Sequence, residues 1–310
     1  MKTAILVNRS AKNGKAWAKW LEIKASVCAQ FNETPLIIDY AVPFNTKECL
    51  QQIVEKQHIK QVVSAGGDGS MNSIVNTLIE LYGSGLTNFC IGGIGLGSSN
   101  DFIKPVINEI DKIPVRLSFV KKQLSDLGKV TFSNGDTMSS VRYFVLNSSV
   151  GIVAKANDLF NRGDTFINFW KSRSTSVTIV YAALKTIFRY KNITADTSIN
   201  GSNHRTRFAN ISLVKSPYVS GSFCYSNYMN LSDGELGLYL IGDVSKLSVV
   251  KMLYKLTKKK FPSDAKHHHE QVNSFAINSD QLLALETDGE IQHANKIQFS
   301  VIPKAIYLAT

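Results

Sequence analysis

Two glycine-rich loops carry the residue types best suited to phosphate chemistry. The first is Gly66-Gly67-Asp68-Gly69-Ser70-Met71-Asn72, directly after the strand-like run Gln61–Ala65. Three glycines in four residues cost backbone entropy, so they predict unusual dihedrals or the close approach of another group. A helix follows, with its stripe over Met71–Tyr82, and its N-terminus presents N–H groups and a positive dipole end that favour phosphate. Ser70 is placed to cap that helix. Asp68 is odd in an anion site unless it faces a metal ion or a hydroxyl. The plain alternative is a tight strand-to-helix turn with a capping Asp.

The second loop, Gly92–Gly97 with Ser98-Ser99-Asn100-Asp101-Phe102 behind it, follows the next strand, Phe89–Ile91. It adds hydroxyls and an amide that can reach phosphate or ribose. Two such loops on consecutive strands emerge at the carboxyl edge of a sheet, where open α/β sheets bind ligands. Neither Gly-x-x-x-x-Gly-Lys-Ser/Thr nor a Gly-x-Gly-x-x-Gly opening the first helix is present, which excludes a P-loop enzyme and a standard dinucleotide fold.

The elements that must position these loops alternate. Apolar runs at Ala4–Asn8, Leu36–Ile38, Gln61–Ala65 and Phe89–Ile91 are separated by helical patterns, including Lys15–Phe31 with Trp17, Trp20, Leu21, Lys24 and Val27 at helical spacing. Alternation with short connections predicts a doubly wound α/β domain over residues 1–124. Beyond that point short β-rich runs recur with Asn-Gly, Ser-Asp-Gly and Thr-Asp-Gly turns between them, which predicts an antiparallel β-sandwich over 125–310, its C-terminal tail free to return to the first domain. A length of 310 residues agrees with two domains.

Lys and Arg outnumber Asp and Glu by 35 to 24, a net charge of +11, so the partners are anionic: nucleic acid, a phosphorylated cofactor or an anionic membrane face. A hydrophobic fraction of 44% excludes wholesale disorder. Four widely spaced cysteines without Cys-x-x-Cys read as reduced thiols rather than a disulfide frame or zinc site. The apolar run Ala4–Val7 is too short for a secretory h-region, and no run approaches a membrane span. These features predict a cytoplasmic protein that is soluble or at most sits on a membrane surface; peripheral association with the inner face is implied only by the resemblance given next.

In order and spacing, Gly66–Asn72 with Gly97–Phe102 downstream resembles the catalytic domain of diacylglycerol kinases, a group that includes bacterial lipid kinases and sphingosine and ceramide kinases. Val7-Asn8 with Gly14, Asp126, Tyr143–Asn147 with Gly151, Ser216-Pro217, Ser232-Asp233-Gly234 and Asp288-Gly289-Glu290 extend the resemblance through nearly the whole chain. It implies the NAD kinase/diacylglycerol kinase-like fold and an ATP site between the domains, lined by Asn8, Gly66, Gly67, Asp68, Gly69, Ser70, Asn72 and Ser98. It implies Glu290 as catalytic base toward a lipid hydroxyl, diacylglycerol or a related lipid. Asp68 would hold catalytic Mg2+ or orient that hydroxyl. Taken alone, Asp288-Gly289-Glu290 is a hairpin turn with an exposed carboxylate.

The resemblance also implies a structural Mg2+ site at 230–235, with the Asn230 and Asp233 side chains and the Glu235 carbonyl as ligands and Asp126 nearby; a Ser-Asp-Gly turn without metal is the alternative. Hard oxygen ligands suit Mg2+. The sequence departs from the family pattern where Arg9 stands for Pro, where Ser70 stands for Thr, and where Ala41 stands for a nucleotide-contacting Thr. Thr165–Lys191, with Phe166, Phe169, Trp170 and Phe188 beside Lys171, Arg173, Lys185 and Arg189, fits an interfacial helix near anionic headgroups, as does Lys246–Phe261. Core helices with solvated basic faces are the alternative. His267-His268-His269 reads as a solvated loop. No aromatic-basic nucleic-acid module is recognisable, so nucleic acid is not expected as a partner. Bacterial relatives are often dimers, which puts a homodimer among the expectations. The competing functions are a soluble-substrate kinase of the NAD kinase type and a non-catalytic lipid-binding relative.

Overall fold

The structure is a computed structural model that describes residues 2–12, 14–40, 46–135, 138–170, 173–225, 230–262 and 264–310. Its contacts divide into two compact units, one formed by Met1–Ser125 with Lys304–Thr310 and the other by Asp126–Pro303.

The first unit begins with β1 (Thr3–Asn8), α1 (Lys15–Cys28), β2 (Leu36–Tyr40), α2 (Thr46–Gln57), β3 (Gln61–Gly66), α3 (Asp68–Tyr82) and β4 (Cys90–Gly95), followed by the short β5 (Asn108–Ile110) and β6 (Ile113–Arg116). β2, β1, β3 and β4 run parallel in that order, and β6 pairs antiparallel with β4. β1 and β4 are buried at every position, as expected of parallel strands covered on both faces. α1 packs Ala16, Trp20, Ile23 and Val27 against Ile5, Val7, Val63 and Ala65. That stripe is rotated from the one expected, because Leu21 stands 54% exposed while Ala16 and Ile23 take the inner face. α3 also starts earlier than expected: Asp68, Gly69 and Ser70 form its first turn, with Gly67 as the N-cap.

The second unit contains β7 (Gln123–Ser133), β8 (Ser140–Phe144), β9 (Asn147–Gly151), α4 (Ile152–Arg162), α5 (Thr165–Trp170), α6 (Thr175–Arg189), β10 (Ile193–Ile199), β11 (Ser202–Val214), β12 (Tyr218–Val219), β13 (Phe223–Cys224), β14 (Leu236–Gly242), α7 (Lys246–Thr257), β15 (His267–Val272), β16 (Ser274–Thr287) and β17 (Glu290–Leu308). β11 pairs antiparallel with β10, β14 and β9, and β16 with β10, β17 and β9. Their inner faces form one large core around Phe144, Phe208, Leu238, Phe275 and Phe299. β9 turns into α4 at Gly151, whose φ is 120° and where a Cβ would stand 2.5 Å from the Ala209 carbonyl oxygen, so no side chain is admitted. The Asn210 amide oxygen then accepts from the Val153 N–H at 3.0 Å, satisfying a donor at the start of α4.

The segment expected as one interfacial helix contains two, α5 ending at Trp170 and α6 beginning at Thr175. The histidine triplet is not loop but the start of β15, paired with Leu240, Ile241 and Tyr239 of β14. The last strand ends in the first unit, where Tyr307 and Leu308 pair parallel with Cys90 and Ile91. No helix among the described residues is long and apolar enough to cross a membrane. Trp20 is fully buried in the first core. Trp20→Ala is expected to cost about 3–5 kcal/mol in urea denaturation, the usual scale for emptying a large aromatic site.

Candidate functional site

In the first unit the two glycine loops touch main chain to main chain. Leu96 and Gly97 both donate to the Gly66 carbonyl at 3.0 Å. A Cβ on Gly97 would stand 2.3 Å from the Gly67 Cα, and one on Gly66 would stand 2.4 Å from the Ser70 hydroxyl. The glycines are therefore required by close approach and not by unusual dihedrals; Gly67 has an extended φ of −106°. Ser70 does not cap α3. Its hydroxyl instead accepts from the Asn8 amide at 2.8 Å, and the Asn8 oxygen accepts from the Ser10 N–H and hydroxyl at 3.0 and 2.7 Å. Asn8 thus joins the end of β1 to the first turn of α3.

Asp68 bridges the loops as well, accepting from the Phe102 N–H at 3.1 Å. Asn100 holds the second loop from within: in left-handed conformation, it accepts from the Gly97 N–H at 2.9 Å and donates to the Gly95 and Gly97 carbonyls at 3.2 Å. Asn72 is buried and receives the Asn76 amide. Gly67, Asp68 and Gly69 are half-buried and Ser98 is exposed, so these four form the accessible rim. Their backbone and the first-turn N–H groups of α3 suit a phosphate chain. Ala41 lies outside the described residues.

In the second unit Glu290 is exposed at the first position of β17, one residue past a turn that is pinned from all sides. Asp288 is buried, and its carboxylate accepts from the consecutive N–H groups of Val145, Leu146 and Asn147 at 2.7, 3.0 and 2.9 Å. Buried Glu286 accepts from the Gly289 N–H at 2.6 Å and from the Ser149 hydroxyl at 2.8 Å. Asn161 of α4 donates to the Gly289 carbonyl at 3.1 Å. Asp288 read as a turn residue in the sequence; its grip on three amides is what sequence inspection missed, together with Glu286, Ser149 and Asn161.

At the loop expected to hold Mg2+, oxygens of Asn230, Asp233 and Glu235 converge on a side chain. The Lys215 ammonium sits in the middle of it, donating to Asp126 Oδ2 (3.0 Å), Asp233 Oδ1 (3.0 Å), the Asn230 carbonyl (3.1 Å) and the Glu235 carbonyl (2.8 Å). The Asn230 side chain turns away to accept from the Ser232 N–H. A lysine after the apolar strand Ala209–Val214 gave no sign of this role, since a lysine at a strand end ordinarily points into solvent.

The diacylglycerol kinase catalytic domain model matches residues 2–130, and the YegS C-terminal NAD kinase beta sandwich-like domain matches residues 148–310. The chain belongs to the diacylglycerol kinase catalytic-domain family. A Staphylococcus aureus strain JH9 protein that carries the provisional name of lipid kinase is 20% identical over 266 residues, covering 84% of this chain and 81% of that relative. A crystal structure described as a diacylglycerol kinase from Bacillus anthracis str. Sterne superposes with a TM-score of 0.70 at 16% identity, covering 99% and 96% of the two chains. A second from the same organism, provisionally a diacylglycerol kinase, gives 0.72 at 18% identity, covering 99% and 94%. At these identities the structural likeness establishes a shared fold. Membership of the diacylglycerol kinase family implies a kinase that uses ATP.

Because Gly97 meets Gly67 backbone to backbone, Gly97→Ala must move main chain. It is expected to destabilise the protein by about 1–3 kcal/mol and to weaken Mg-ATP binding in calorimetry. Unchanged affinity would remove the loop pair from nucleotide binding.

Proposed function

We propose that the protein is an ATP-dependent lipid kinase that phosphorylates a lipid hydroxyl, of diacylglycerol or a related lipid, at an anionic membrane surface. The observation that carries the lipid half of this reading is an apolar slot in the second unit. It is lined by Ile152, Ala156 and Phe160 of α4, Ile179 and Ala183 of α6, and Met252 of α7. The slot is narrow, about 60 Å3, so an acyl chain would enter by parting these helices.

The surface beside it supports membrane contact. Phe169, Val180 and Phe188 of α5 and α6 and Leu247 and Tyr254 of α7 are exposed, and so are Arg189, Lys191, Lys251 and Lys255. Arg173 lies over the Phe169 ring at 4.0 Å. Asp164 caps α5 through the Ile167 N–H at 2.8 Å and accepts from Lys185 of α6 at 2.5 Å. These contacts, the Ile167 amide first and Lys185 next, hold its carboxyl below the usual range and join the two helices. Lys185 is therefore committed to Asp164 and is not one of the cations turned to lipid. Lys171 lies outside the described residues.

When bound, Mg-ATP supplies the γ-phosphoryl group and the charge neutralisation that phosphoryl transfer needs. The rim at Gly67–Gly69 and Ser98 would bind its phosphates, with Asp68 as the carboxylate available to Mg2+ or to the hydroxyl. Glu290 would take the proton from the lipid hydroxyl as that oxygen bonds to phosphorus and ADP leaves. The locked Asp288 turn would hold Glu290 in place for that transfer.

The direct test supplies radiolabelled ATP, Mg2+ and mixed lipid vesicles. Labelled lipid is expected; none from diacylglycerol, phosphatidylglycerol or a sphingoid base would sink the proposal, and phosphorylated NAD without vesicles would favour a soluble-substrate kinase. Glu290→Gln is expected to lower turnover by about 10²–10⁴-fold with little change in ATP affinity; retained turnover would remove Glu290 from the base role. Vesicle association is expected to fall as salt rises, because each cation near an anionic surface contributes about 1 kcal/mol and is screened. Sedimentation with vesicles measures this, and salt-independent binding would contradict it.

A further inference from the structure

Lys215 is a cation with no exposed surface, and Asp126, one of the two carboxylates beside it, has none either. Removing an ammonium from water is unfavourable unless its protons all find acceptors. Here four oxygens surround the nitrogen at 2.8–3.1 Å, two from carboxylates and two from main-chain carbonyls. An ammonium has three protons, so one is shared between two acceptors. The nest holds two carboxylates against one positive charge. Main-chain donors offset the difference: Gly234 N–H reaches Asp126 Oδ2 at 2.8 Å, and Glu235 N–H reaches Asp233 Oδ1 at 3.1 Å.

Carboxylates and carbonyls converging on one point are the donor set a hard divalent ion would choose, but the dimensions differ. Mg2+ holds oxygens at about 2.0–2.1 Å and Ca2+ at about 2.3–2.6 Å. The oxygens of this nest stand at hydrogen-bonding distance from a nitrogen that already fills its centre. We propose that Lys215 is a built-in cation that takes the place of a divalent metal ion in this chain. It ties Asp126, at the opening of the second unit, to the 230–235 loop, and this part of the protein holds together without metal.

The consequence reaches further than the loop. The Lys215 and Ser216 N–H groups donate to the Leu146 carbonyl at 2.7 and 3.0 Å, and the Leu146 N–H is one of the three held by Asp288. Lys215 therefore braces the segment on which the Glu290 turn rests. These hydrogen bonds hold whichever substrate the protein takes.

The test is made on the full chain without nucleotide, by elemental analysis of divalent metal and by thermal melting in chelator, Mg2+ or Ca2+. The unaltered protein is expected to carry no stoichiometric divalent ion and to melt within about 1 °C of the same temperature in all three, since an ion that binds only the folded state would raise the midpoint. Lys215→Ala is expected to melt about 10 °C lower in chelator, as for a buried ion pair that loses one partner. It should regain stability on titration with Mg2+ or Ca2+, because the emptied nest keeps its oxygens. Lys215→Met should also melt lower but ignore both ions, its apolar chain filling the space. A stoichiometric divalent ion in the unaltered protein, a drop in its melting temperature on chelation, or a Lys215→Ala variant as stable as the parent would each overturn the proposal. If the variants do not yield folded protein, metal content and the chelator melt of the unaltered chain decide it.

Discussion

The second unit depends on how it accommodates buried charge. Asp288 is buried, and a buried carboxyl group needs donors; it finds three in the consecutive amides of Val145, Leu146 and Asn147. Satisfying it fixes the path of the β8–β9 connection. That path places the Leu146 carbonyl where Lys215 and Ser216 donate to it, and the Lys215 side chain then settles Asp126 and Asp233. One run of three peptide groups thus serves an acid on one side and the backbone of a base on the other. Breaking either end leaves a buried ion without its partners, which is costlier than losing an exposed salt bridge.

The first unit solves a different problem. Its loops are held by peptide hydrogen bonds from Leu96 and Gly97 to Gly66 and by the side chains of Asn8, Asp68 and Asn100. Small residues there allow main chain to pack on main chain, leaving the start of α3 lined by backbone. A surface of peptide groups suits a polyanion whose charge is spread over many oxygens, where long side chains would obstruct it.

Much of this was legible in the sequence, for identifiable reasons. The parallel strands appear as continuous apolar runs because both faces are covered, and the glycine loops appear because nothing larger fits between them. The family resemblance, matched over both parts of the chain, gave the order of the loops. What could not be read were relations between residues far apart. Asp288 and Val145 lie 143 positions apart, and Lys215 and Asp126 lie 89 apart. No local pattern records that a lysine will turn inward when acids approach from elsewhere. Periodicity alone does not give the exact phase of α1, because exposed Leu21 is as apolar as the residues that face the core. The histidine triplet looked like loop because its edge strand carries polar side chains, which β14 pairs with through the backbone.

The contact of Gly67 with Gly97 has an evolutionary consequence. When a packed side chain grows, its neighbour can usually shrink to make room, and sequence change proceeds in compensating pairs. Here each residue is already the smallest available, and a Cβ on either one points at the other's Cα, at 3.1 Å from Gly67 and 2.3 Å from Gly97. There is no side chain left to trim. A Cβ on Gly67 asks the facing chain to yield by a few tenths of an ångström, but at Gly97 no compensating substitution exists, and change there needs the main chain of the facing loop to move.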